Sequence, residues 1–167
     1  MKRRAFTFIE VIIVVVILSI LAAVVLPTFQ GQTAIARESS TKDSLSTMRT
    51  QIEMYKLQHD EIQPGYAYGF PVSTATLRLQ LVGTTKVTGA ASSSKVPNAT
   101  YPYGPYMREL PENPFNNLTN ITYVAEATAF SDAVDGTSSG WLYKKETGEF
   151  VINWTGTDQQ GVNFYDY

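Results

Sequence analysis

Apolar and polar positions are distributed very unevenly along this chain. Residues 6–26 are almost wholly apolar, and no charged side chain occurs between Glu10 and Arg37. The 21 residues from Phe6 to Leu26 would span about 31 Å as a helix, close to one bilayer hydrocarbon core. Beyond Gly31 the pattern changes. Over 32–58, Ile35, Leu45, Met48, Ile52 and Tyr55 fall near one face, while Arg37, Glu38, Asp43, Arg49, Glu53 and Lys56 point elsewhere. That spacing predicts an amphipathic helix. Pro27 is expected to loosen the helix by removing a backbone donor. Pro64-Gly65 is expected to end it.

The remainder is rich in Ser, Thr, Asn, Gly and Tyr. Leu77–Val82 predicts a short helix or strand, and Thr88–Asn98 an exposed loop. Three runs predict strands: Ile121–Ala125, Gly140–Lys144 and Glu149–Trp154. Lys145-Glu146-Thr147-Gly148 predicts a hairpin turn between the last two. The expected architecture is α+β: a long N-terminal α-helix, transmembrane in its first half and amphipathic in its second, packed on a small antiparallel β-sheet in a meander. The expected segments are a basic leader (1–5), a membrane and assembly helix (6–27), an amphipathic half (28–63) and a β head (64–167).

Charge and composition narrow the function. The formal net charge is −2, and Lys2, Arg3 and Arg4 all precede the apolar run. Losing these three charges would lower the balance to −5, so charge alone gives no nucleic-acid partner. Arg37, Lys42, Arg49 and Lys56 read as a solvated helix face. With no cysteine, disulfides and thiolate metal sites are excluded. The sequence lacks a phosphate-binding Gly-rich loop and a His-Glu metal motif, and it has one histidine, so nothing supports an enzyme. His59 reads as a cap on the negative end of the helix. The tyrosines at 66, 68, 101, 103 and 106 suit sheet cover and subunit contacts, with sugar or base stacking as the alternative.

Glu10 is the residue that a plain anchor or a secretory signal leaves unexplained. A carboxylate close to the membrane interior is costly and asks for a partner. Cleavage before Phe6 would create an amine four residues away. The segment Ala5-Phe6-Thr7-Phe8-Ile9-Glu10, with its basic leader and apolar run, resembles the junction of type IV prepilins and type II secretion pseudopilins. The resemblance implies cleavage between Ala5 and Phe6 by a prepilin peptidase, N-methylation of Phe6, and pairing of Glu10 with a neighbouring subunit's N-terminus. Ala5 stands where the family has Gly, and Pro27 where it has a helix-bending proline.

A second stretch, Leu110-Pro111-Glu112-Asn113-Pro114-Phe115, is similar to the segment joining helix and sheet in major pseudopilins. Phe115 replaces the commoner Trp. The resemblance implies a filament subunit, a pseudopilus subunit ahead of a true type IV pilin. A membrane-anchored binding module is the alternative from another class. The implied partners are further copies of the chain, the peptidase, an inner-membrane assembly platform, minor pilins or pseudopilins, and lipid. The implied location is the bacterial inner membrane with the head outside the cytoplasm, then a periplasmic or surface filament. The family also implies a calcium ion in the C-terminal loop. Asp132 and Asp135, beside Gly136, are the candidate ligands, with Asp158 and Asp166 as further oxygen sources. An Asx-type turn is the alternative reading of those residues.

Overall fold

The computed structural model describes residues 7–167, excepting the side chains of 24–31. It divides into two compact units, Met1–Glu38 and Ser39–Tyr167. Helix α1, Phe8–Gln58, belongs to both. Its backbone is assigned helical without a break at Pro27 or Gly31, so the expected loosening at Pro27 leaves no gap in the assigned helix.

In the first unit the described side chains from Phe8 to Ala23 are all exposed. Phe8 is 83% exposed and Leu21 56%. Among the described residues no helix is long and apolar enough to cross a membrane. The span expected over 6–27 reaches past those residues at both ends.

The second unit begins where α1 acquires a buried stripe: Thr41, Leu45, Met48, Ile52, Tyr55 and His59. These positions step by four and three residues, the spacing of one helical face. Ile35, expected on that face, is 47% exposed and lies ahead of the stretch the head covers. Gln58 ends the helix before Pro64-Gly65 can act. Asp60 and Glu61 adopt left-handed φ values of 53° and 65°, and the Glu61 amide donates to Lys56 O at 3.1 Å. This bond satisfies a carbonyl of the last turn.

A hairpin of β1 (Tyr66–Ala67) and β2 (Phe70–Pro71) follows. Helix α2, Thr74–Val82, is capped by Ser73, whose side chain accepts from the Thr76 amide at 3.3 Å. Strands β3 (Thr84–Thr85) and β4 (Ala91–Ser92) then pair antiparallel. The 88–98 region is therefore a paired turn in part, with Gly89 buried, and an exposed loop only over 95–98.

The main sheet is β5 (Ile121–Tyr123), β6 (Trp141–Tyr143) and β7 (Phe150–Ile152), in that order. All three expected strands are present. The α+β class with a long helix on a small sheet holds, and β6–β7 is the expected antiparallel hairpin. Gly148 supplies the positive φ of 79° at its turn. The pair β5–β6 runs parallel instead, so the three strands do not form a meander. The reason is the link from 124 to 140, which carries the short helix α3 (Phe130–Ala133). It is long enough for the crossover that a parallel pair requires.

The core of this unit joins Leu45, Met48 and Ile52 of α1 to Leu77 and Leu81 of α2, and to Trp141, Phe150 and Ile152 of the sheet. Each fully buried aliphatic side chain contributes about 1.5–3 kcal/mol.

Candidate assembly site

The described part of the N-terminal site is the start of α1. The Thr7 amide donates to Glu10 Oε2 and the Glu10 amide donates to Thr7 Oγ1, both at 3.3 Å. This reciprocal arrangement is a capping box, which satisfies two of the donors left open at a helix start. Glu10 also favours the positive end of the helix dipole. Sequence reasoning missed this role, although the signal was present: a Thr, two residues, then a Glu ahead of an apolar run. Glu10 is exposed in the single chain, so its carboxylate is open to a group from outside. Ala5 and Phe6, expected at the cleavage junction, lie outside the described residues, as does the side chain of Pro27.

Along the exposed stretch, Ser19 is the polar interruption, and its hydroxyl donates back to Val15 O at 2.7 Å. The polar group is thereby satisfied within the helix, and the surface it leaves is apolar around its whole circumference. Such a helix needs lipid or other helices as cover.

In the head, the expected solvated face fails at Arg49. Its guanidinium donates to Phe150 O through Nε (3.2 Å) and Nη2 (2.9 Å), and also to the backbone oxygen of Tyr167. Arg49 therefore ties α1 to β7 and to residue 167. Lys42 lies 4.6 Å from the Tyr167 ring centre. These partners are more than a hundred residues away in sequence, so no local pattern announces them.

His59 is fully buried, stacked on Tyr55 with ring centres 3.7 Å apart. Its Nδ1 lies 2.7 Å from Tyr55 O, a last-turn carbonyl, and its Nε2 lies 2.9 Å from Thr85 Oγ1. The capping expectation is met in its contact but not in its physics. Burial pushes the imidazole pKa below its ordinary 6.5, so a neutral ring, rather than a cation at the dipole, joins α1 to β3.

The tyrosines divide. Tyr106 is buried edge-on against Tyr55, with ring centres 5.3 Å apart, and its hydroxyl donates to Gln58 Oε1 at 2.8 Å. Tyr103 bridges to Thr85. These cover the end of α1 rather than the main sheet. Tyr68 is 65% exposed.

Asp132 and Asp135 accept hydrogen bonds from separate sets of donors. The Asp132 carboxylate accepts only a long bond, 3.4 Å, from Ser131 Oγ. Asp135 Oδ1 accepts from the amides of Ser138 (3.0 Å) and Thr137 (2.9 Å) and from Asn153 Nδ2 (2.8 Å). Those donors hold its pKa far below the usual carboxylate range. This is the Asx-turn geometry. Asp158 likewise accepts from the amides of Gln160 and Val162, each at 2.8 Å, and from the Tyr167 hydroxyl at 2.6 Å. Asp166 accepts from Asn163 at 2.8 Å. Among the described residues no three His, Cys, Asp or Glu side chains group to hold a metal ion.

The residues that organise this loop are asparagines. Buried Asn113 donates to Gly140 O at 2.9 Å, and Asn116 donates to Gly136 O and Ser139 O. Asn153 Oδ1 accepts from the amides of Asp135 and Gly136. Phe115 stacks on Trp154, with ring centres 5.0 Å apart. The Leu110–Phe115 segment is thus the clamp between helix and sheet, and Trp141 Nε1 donates to Pro111 O at 2.8 Å.

These features meet at a known pattern. Residues 1–26 match the model of the prokaryotic N-terminal methylation motif. The chain carries a methylation-type N-terminus. It is similar over nearly its full length to proteins named type II secretion system core protein G. The relative from Klebsiella pneumoniae is 26% identical over 92% of this chain and 96% of its own. That from Vibrio cholerae is 27% identical over 95% and 97%. The Escherichia coli K12 relative is 25% identical over 92% of each chain. No solved structure matches. The expected resemblance to the major pseudopilins accordingly extends through the head as well as the N-terminus.

Proposed function

We propose that this chain is a structural subunit of a type II secretion pseudopilus. It is held in the inner membrane by its apolar helix and polymerises into a periplasmic filament. The observation that carries the reading is the pairing of a methylation motif at residues 1–26 with similarity to core protein G that continues through the head. The structure adds a physical reason. The described apolar side chains of the first unit are exposed, and a filament core of packed helices, or lipid before assembly, supplies their cover.

In this reading a prepilin peptidase cuts between Ala5 and Phe6, and the new amine is methylated. During growth the Glu10 carboxylate, already at a helix start, pairs with the Phe6 amine of a neighbour. Two charges that would each be costly in an apolar filament core then offset one another. The head supplies surface contacts and carries no reaction.

Mass spectrometry of the membrane-extracted chain tests the processing step. The expected mature species begins with N-methylated Phe6. A start after Ala22 would instead mean ordinary secretion, and an intact Met1 a plain anchor.

A further inference from the structure

The resemblance to the major pseudopilins implies a calcium ion in the loop that carries Asp132 and Asp135. Calcium gathers about six to eight oxygens around one point. Oxygens do gather in this loop, but around a nitrogen. Fully buried Asn153, directly after β7, donates from Nδ2 to Asp135 Oδ1 (2.8 Å), Ser139 Oγ (3.2 Å) and Ser138 Oγ (3.3 Å). The other end of the amide fixes its orientation. Asn153 Oδ1 accepts from the amides of Asp135 (2.9 Å) and Gly136 (3.0 Å). Turned over, the side chain would set N–H against N–H and oxygen against a carboxylate. A neutral donor therefore fills the point that these oxygens share.

The backbone oxygens of the loop are treated alike. Gly136 O and Ser139 O accept from Asn116 Nδ2 at 3.0 and 2.9 Å. Ser138 O accepts from Asn120 Nδ2 at 3.1 Å, and Gly140 O from buried Asn113 Nδ2 at 2.9 Å. Such carbonyls are the ligands that a hard cation draws on beside carboxylates. Here each one meets an amide N–H.

The remaining carboxylates have local donors of their own. Asp132 is exposed and takes its bond from Ser131. Asp158 takes the amides of Gln160 and Val162. The donor set does not fit a calcium ion. It fits a loop whose oxygens are satisfied by uncharged side chains of the same chain.

We propose that Asn153 replaces the cation in this head, so that residues 135–139 are fixed to the end of β7 by amide hydrogen bonds and the head keeps its full stability without calcium. An ion that binds only the folded state makes stability depend on its concentration. An internal amide removes that dependence, because the clamp is part of the chain. The inference concerns the head loop and stands apart from the filament reading.

Thermal unfolding of the full-length chain in detergent tests it, with the protein held in excess EGTA or in millimolar calcium. The expected result is the same Tm in both. A Tm raised several degrees by calcium, or a stoichiometric calcium site found by equilibrium dialysis, would overturn the proposal. This comparison needs no variant, so it decides the question even where a variant does not fold.

Asn153→Asp tests the role of Nδ2 itself. It sets a carboxylate oxygen in place of the donor, facing Asp135 Oδ1, where two like charges repel. The variant is expected to have a lower Tm than the parent in EGTA, and to gain a calcium-dependent rise that the parent lacks. A Tm in EGTA equal to the parent's, or a loss that calcium leaves unrestored, would overturn the claim that this nitrogen stands in for a cation.

Discussion

Helix α1 carries two apolar stretches that meet opposite ends. From Phe8 to Leu21 the apolar side chains range from 40% to 83% exposed, whereas Leu45, Met48, Ile52 and Tyr55 are at most 2% exposed. The two stretches differ in how their apolar residues are arranged around the helix. The first is apolar in every direction, and a single small head cannot cover a whole cylinder. The second confines its apolar residues to one stripe, which α2 and the sheet of the same chain bury. The first stretch therefore serves contacts outside the chain, and the second serves the stability of the head.

Paired substitutions sharpen this contrast. Met48→Ala or Ile52→Ala is expected to destabilise the head by about 2–5 kcal/mol, the usual range for emptying a packed core position. Val14→Ala, on the exposed stretch, should change head stability by less than about 0.5 kcal/mol. Chemical denaturation of the full chain in detergent, followed by tryptophan fluorescence from Trp141 and Trp154, reads both. Equal effects from the two stretches would break the distinction.

A smaller loss is expected from Arg49→Met. It keeps the aliphatic stem but removes the charged donors to Phe150 O and Tyr167 O. Hydrogen bonds from a charged group are worth about 1.5–3 kcal/mol. The same denaturation measurement applies, with hydrogen exchange at β7 expected to accelerate. No change would return Arg49 to the solvated face that the sequence suggested.

The head should also weaken mildly in acid through His59. Its folded pKa lies below the unfolded 6.5 because burial penalises the cation. As the pH falls from 6.5 the unfolded chain takes up a proton that the folded head resists, so stability is complete above that value and declines below it. His59→Gln should flatten the slope of stability between about pH 7 and 5 relative to the parent. An unaltered slope would mean that another group is responsible.

Local pattern made much of this molecule legible. The stripe from Leu45 to Tyr55, the three strands of the main sheet and the Thr147-Gly148 turn all follow from periodicity and turn chemistry. Strand direction did not, because Ile121–Tyr123 reads the same whether it pairs parallel or antiparallel with Trp141–Tyr143. Long-range partners were equally hidden. Arg49 and His59 carry ordinary surface signals, and only the fold brings Phe150, Tyr167 and Thr85 to them. The Asn113–Asn153 network was missed for a related reason: asparagine in a Ser/Thr/Asn-rich sequence suggests loops, not a buried clamp. At the N-terminus, family resemblance directed attention to Glu10 as an intersubunit partner, and its local cap with Thr7 went unread.

The local cap with Thr7 and the proposed pairing with a neighbour make Glu10→Gln the most direct test. Glutamine can still accept from the Thr7 amide, so the capping box survives, but the negative charge is gone. The account predicts processed Glu10→Gln subunits at normal membrane levels with sheared filaments or secreted cargo reduced at least tenfold, because the neighbour's Phe6 amine is left unpaired. Normal assembly by Glu10→Gln would show that the cap alone suffices and would contradict charge pairing as the step that builds the filament.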